Sequence, residues 1–372
     1  FSTLEPSAHG LSAYAETIVA RCADATYRPA CYDEEVPKLM DEGFSMEETF
    51  DVTRVVQELD PSFRYCHVLG HKLSAKETAK DPSKWKDIVT RAPSGVCSNG
   101  AIHGAFQERF RVESLPDASV QELVPELLDV CEPRGNWRPT GLEQASCVHA
   151  LGHLAMYVTS ADIEKSLALC DAVTPHPPGH DFTQLCYDGA FMQIYQPLEP
   201  DDFALIEGKE QTKKTAPAFC ASFAGIAQSS CVSESAALFR TEILADATLL
   251  PKHCAVLPAN LRPRCEAALV YYFIAQLDLD IERSFDYCSV LSGDTRSRCF
   301  ANAAGRFIEV DWRNSASAIE LCSLASDEVA RAACFNELVK MSDYNFPRGS
   351  KEAKELCEKL PSPYREGCYA KQ

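Results

Sequence analysis

A chain of 372 residues can bury a sizeable core unaided, so its 18 cysteines need another reason than a missing core. A formal net charge of −18 excludes nucleic acid as a partner, because phosphate recognition needs a lysine and arginine surplus on at least one face. That cysteine content points to a secreted, periplasmic or cell-surface protein, and the absence of any C-x-x-C argues against zinc-ribbon or iron–sulfur ligation.

The chain starts at Phe1 with no charged and apolar leader pattern, as expected where a targeting segment has been removed. The longest apolar stretch, Ala267 to Leu277, is too short to cross a bilayer and reads as a buried helix. Residues 1–53 read as an N-terminal helical cap with a short Cys22, Cys31 pair.

Residues 54–215 read as a duplicated, histidine-rich helical module with copies near 54–130 and 131–207. HVLGH at 67–71 recurs as HALGH at 149–153, and CSNGAIHGAF at 97–106 recurs as CYDGAFMQIY at 186–195. In each H-x-L-G-H the i,i+4 spacing sets two imidazoles on one helix face, the arrangement with which a helix offers two ligands to one metal ion. A cysteine lies beside each copy, Cys66 or Cys147, so each helix start is expected to be pinned. Cys131 with Cys147 and Cys170 with Cys186 read as hairpin pairs, and Cys66 with Cys97 follows by elimination.

His103 is the expected third ligand of the first copy, one turn into the helix after Cys97, and Gly100 and Gly104 permit close backbone approach there. Met192 is its equivalent in the second copy. His67, His71, His103, His149, His153 and Met192 are thus the candidate metal ligands; if the two modules face each other, they line one cavity. Three histidines suit zinc or copper, and a thioether tilts towards copper. The bland alternative is that the histidines and glycines merely pack helices, in which case both rings of each pair must be hydrogen-bonded.

No HEXXH, G-x-S-x-G, C-x-x-C-H or glycine-rich phosphate loop occurs. Glu108 and Asp188 are the candidate bases if the site is catalytic. His176 and His180, in TPHPPGHDF, sit among prolines that forbid a regular helix, so they read as a loop that can add ligands. The polar stretch 207–217 reads as the boundary with the last region.

Residues 216–372 carry a 34-residue period. Cys220, Cys254, Cys288, Cys322 and Cys357 march in step with Cys231, Cys265, Cys299, Cys334 and Cys368. Each unit reads as a helical hairpin with a disulfide across its loop. Arg262, Arg296, Arg331 and Arg365 stand three residues before the second cysteine, and are expected to pair with carboxylates or helix carbonyls of the adjacent repeat.

Between Cys220 and Cys368 the period resembles tetratricopeptide repeats, and the stapled hairpins resemble the Sel1-like repeats of cysteine-rich secreted proteins. The resemblance implies an α/α solenoid with a concave face. The expected fold is therefore all-α, a superhelical repeat array of disulfide-bearing hairpins. The expected function is sequestration or delivery of zinc or copper, with no membrane span. A metal-dependent hydrolase or lyase, and an adaptor binding protein, peptide or glycan on the concave face, are the two alternatives.

Overall fold

The computed structural model describes residues 8–93, 95–110, 117–174, 182–198 and 200–372. Among these the regular structure is helical, with no strand and a single bridge between Arg134 and Trp137. The chain divides into two compact units, Phe1–Val112 and Glu113–Gln372, so the two histidine-bearing copies fall in different units.

In the first unit, helix α1 spans Met46–Leu59, α2 His67–Lys80 and α3 Gly100–Phe110. Ser45 starts α1 with a capping box: its hydroxyl accepts from the Glu48 N–H at 3.1 Å, while the Glu48 carboxylate accepts from the Ser45 N–H at 2.7 Å. Helix α2 lies along α3, and Trp85 closes the base of the pair edge-on to Phe106 and Phe110.

In the second unit, α4 spans Gly141–Val158, α5 Ile163–Val173, α6 Thr183–Tyr195, α7 Gly225–Ser235, α8 Arg262–Gln276, α9 Gly293–Val310, α10 Glu328–Tyr344 and α11 Tyr364–Tyr369. Thr140 and Glu143 repeat the capping box at α4. Helix α4 packs on α6, and then α6 on α7, α7 on α8, α8 on α9, α9 on α10 and α10 on α11. Each of these helices is the second of a hairpin, so the unit is a succession of like elements. The succession curves until Gly141, the first residue of α4, meets the ring of Tyr344 at the end of α10.

All 18 cysteines are paired, in nine disulfides with the pairings expected from the sequence, eight from their spacing and Cys66–Cys97 by elimination. The five repeats close loops of sequence separation 11 or 12, each of which contributes about 3 kcal/mol in the chain-entropy account. Cys66–Cys97 differs in kind: its separation is 31, and it ties the residue before α2 to the turn before α3. Cys147 lies within α4 rather than at its start, because α4 begins two turns earlier at the Thr140 cap.

The arginine series caps carbonyls, but those of its own hairpin. Arg262 Nε donates to Leu257 O at 2.9 Å, Arg296 Nε to Leu291 O at 2.6 Å, Arg331 Nε to Ala325 O at 3.2 Å and Arg365 Nε to Leu360 O at 3.0 Å. A carbonyl left over at a helix end needs a donor, and the guanidinium one turn into the next helix is the nearest. Only the partner hairpin differs from expectation, though Arg296 also reaches Asp327 of the next repeat at 3.5 Å.

Candidate metal centre

The closeness of α2 and α3 is set by glycine. A Cβ at Gly100 would fall 2.2 Å from the His67 carbonyl oxygen, and one at Gly104 2.0 Å from that of His71. No side chain fits at either position, so the two backbones lie in contact. That contact carries His103 on α3 to the two histidines of α2.

The ring centroids of His67 and His71 are 4.7 Å apart, and His103 stands 4.9 Å from the first and 5.1 Å from the second. One nitrogen of each ring falls within 4.8 Å of the others, and all three side chains are buried. Tetrahedral ligands on a metal ion with bonds of about 2.0–2.1 Å sit roughly 3.3 Å apart, a spacing that the two α2 rings already have and to which His103 would have to close. Tyr65 stacks on His67 at 5.9 Å from the side where its own ring is exposed.

Hydrogen bonds orient two of the rings. His71 Nδ1 faces the Gln107 Oε1 at 2.9 Å, and His67 Nδ1 faces the Cys97 carbonyl oxygen at 3.3 Å. The Cys97 carbonyl accepts, so His67 carries a proton on Nδ1; where Gln107 presents its oxygen, His71 does the same, and each ring then turns a lone pair at Nε2 to the other. Those two Nε2 atoms are 3.0 Å apart. Two lone pairs at that distance repel unless a positive centre, a proton or a metal ion, lies between them.

The Cys97 carbonyl is aimed by an unusual turn. Cys97, Ser98 and Asn99 all have left-handed backbone, with φ of 50°, 49° and 57°, in residues that are not glycine. Such conformations cost free energy and persist where the surroundings impose them. Here the disulfide to Cys66 and the Asn99 side chain, which accepts from the Gly95 N–H at 3.3 Å, hold the turn.

The second copy repeats the pair within its own unit. His149 and His153 on α4 have Nε2 atoms 3.2 Å apart, and His153 Nδ1 faces the Gln193 Oε1 at 2.7 Å. Burial lowers the His153 pKa below the ordinary imidazole value, against the opposing pull of Gln193 and Asp202. Glycine again sets the crossing: a Cβ at Gly189 would lie 2.1 Å from His149 O, and one at Gly152 2.0 Å from Cys186 O. Met192 is half-buried beside Gln193 on α6. Among the described residues, the one group of three metal-binding side chains is that of the first copy. His176 and His180 lie outside the described residues.

The first group contains no carboxylate. Glu108 is half-buried on α3, five residues beyond His103 and therefore about 140° around the helix from it. Asp188 is buried on α6, where it interacts with Ser230. Gln107, Tyr65 and the Cys97 carbonyl were not among the expected site residues. Gln107 alone left a signal, since it stands at i+4 from His103 on the same helix face.

With every cysteine bridged and no described helix long and apolar enough to cross a membrane, the chain has the marks of a protein from an oxidising, extracytoplasmic compartment. Compared with known proteins, it matches no family model, no curated protein and no solved structure, so its function is read from the site.

Proposed function

We propose that this chain is an extracytoplasmic metal-binding protein in which His67, His71 and His103 hold one zinc or copper ion. The observation that carries the reading is the group of three buried histidines, in which two Nε2 atoms stand 3.0 Å apart and the Nδ1 of each of those rings faces an oxygen. A shared proton satisfies two nitrogens, but a third buried histidine, within 4.8 Å of both, favours an ion with three or more coordination positions. Imidazole donors suit zinc and copper, and the disulfides have consumed the thiolates that would narrow the choice.

On this reading His149, His153 and Met192 form a second, softer and weaker site, and residues 216–372 act as scaffold or partner surface. The tetratricopeptide-like and Sel1-like character of those repeats, with a concave face for protein, peptide or glycan, is part of the same proposal. Sequestration or delivery fits better than catalysis, because among the described residues no carboxylate joins the three histidines to serve as a base. One feature favours a hydrolase or lyase instead: three protein ligands leave a fourth position for water.

The test is elemental analysis of protein prepared without a histidine tag and dialysed against zinc or copper. At least one ion per chain should remain in the wild type, and the His67→Ala/His71→Ala variant should lose it. A metal-free wild type defeats the reading. X-ray absorption on the loaded protein separates carrier from enzyme by whether an exchangeable water completes the coordination.

A further inference from the structure

A second kind of site lies between α6 and α7, and its donors are oxygens. Gln184 and Asp188 stand one turn apart on one face of α6, and Ser230 and Glu234 one turn apart on one face of α7. The helices pack together, and two side-chain pairings cross between them. The Ser230 hydroxyl lies against the Asp188 carboxyl. Gln196, just past α6, donates its amide N–H to Glu234 Oε2 at 2.7 Å.

Three of the four side chains are buried, and Glu234 is half-buried. Gln184 is 7 %, Asp188 8 % and Ser230 0 % exposed. Ser230 and Gln184 both stand close enough to act on the Asp188 carboxyl, yet Gln184 Oε1, Asp188 Oδ1 and Ser230 Oγ are buried atoms that make no well-formed hydrogen bond among the described residues. Buried oxygens are ordinarily satisfied, so several unsatisfied ones around two neighbouring acids call for a positive centre. Arg264, the cation acting on Asp188, is exposed and therefore screened by solvent. Burial pushes the Asp188 carboxyl up to about 7 and raises that of Glu234 well above its ordinary range, the latter further through repulsion from Asp188.

We propose that α6 and α7 hold a hard cation of the calcium class between the carboxylates of Asp188 and Glu234, with Gln184 and Ser230 supplying neutral oxygens. Hard cations take carboxylate, amide and hydroxyl oxygens and complete their shells with water, whereas the histidine group suits softer ions. With only two carboxylates the site belongs to the weak class of extracellular calcium modules, with dissociation constants of about 10⁻⁴–10⁻³ M.

Calcium titration of the full chain by calorimetry and by thermal shift tests this. The expected result is one saturable calcium ion per chain, weakened at least about tenfold by Asp188→Asn or Glu234→Gln. The His67→Ala/His71→Ala variant should bind calcium like the wild type, which keeps this outcome separate from that of the transition-metal site. Both substitutions preserve shape, and retention of all nine disulfides, read as the absence of free thiol, checks folding. If either fails to fold, Ser230→Ala takes its place with the same expectation. No saturable binding up to about 10 mM calcium overturns the proposal, as does binding that survives both substitutions. A wild type unmoved by calcium, with neutral variants that melt higher, identifies a pair sharing a proton and overturns it as well.

Discussion

The two histidine copies share four devices and differ in two. Each has two imidazoles at i,i+4, Nε2 atoms 3.0 or 3.2 Å apart, a glutamine oxygen on the second ring's Nδ1, and a glycine crossing that brings the next helix into backbone contact. They differ at the aligned position of the crossing helix, which is His103 in one and Met192 in the other. The glutamines also come from different turns, Gln107 one turn beyond His103 and Gln193 directly beside Met192. Where Gln193 stands, the first copy has Gly104, pressed against His71 O. The two copies thus keep the paired rings and differ in the candidate third donor, so on the proposed reading they would bind a metal ion with unequal strength.

That inequality can be broken most completely at the paired rings. His67→Ala/His71→Ala should abolish binding at the first site and leave the second copy's weaker binding, as two-site calorimetry with zinc would show; unchanged stoichiometry would refute the assignment. Next in size is the crossing. Gly100→Ala or Gly189→Ala should destabilise by about 3 kcal/mol in denaturant titration with disulfides intact, because backbone atoms have nowhere to go. Gly305→Ala is the control, within about 0.5 kcal/mol, since its Cβ would meet nothing closer than a side-chain atom at 3.6 Å.

Smaller effects sharpen the comparison. Gln107→Ala should lower first-site affinity by about 10–100-fold by freeing the His71 ring, and an unaltered dissociation constant would deny the glutamine its orienting role. Met192→His should raise second-copy zinc affinity by about tenfold and bring the copies closer together, with His103→Met doing the reverse. The smallest is Arg296→Ala, expected to cost about 1 kcal/mol of stability through the lost bond to Leu291 O, with no change in metal content.

Much of this was legible in the sequence, for identifiable reasons. A cysteine period of 34, with turn-rich residues between the two cysteines of each unit, points to a repeated hairpin, so the five C-terminal pairings followed from the sequence. The i,i+4 histidines and the small residues around His103 gave the first site in outline. What spacing does not encode is where a side chain ends. The arginines were expected to reach the neighbouring repeat, which Arg296 does through Asp327, but all four satisfy a carbonyl five or six residues back in their own hairpin. The left-handed turn at Cys97–Asn99 was hidden as well, since no glycine marks those three positions. The Asp188 and Glu234 juxtaposition stayed invisible because the two residues lie on different hairpins without a shared motif.

A staple across a loop also changes what a protease can accomplish. A cut anywhere between Cys254 and Cys265, or between Cys288 and Cys299, leaves both pieces covalently joined and their helices still packed. Separate fragments can form only by cutting connections between hairpins, such as Leu277–Asp280. A nicked molecule would therefore migrate as one species until reductant is added. In a protease-rich exterior that is a form of durability that melting temperature does not measure.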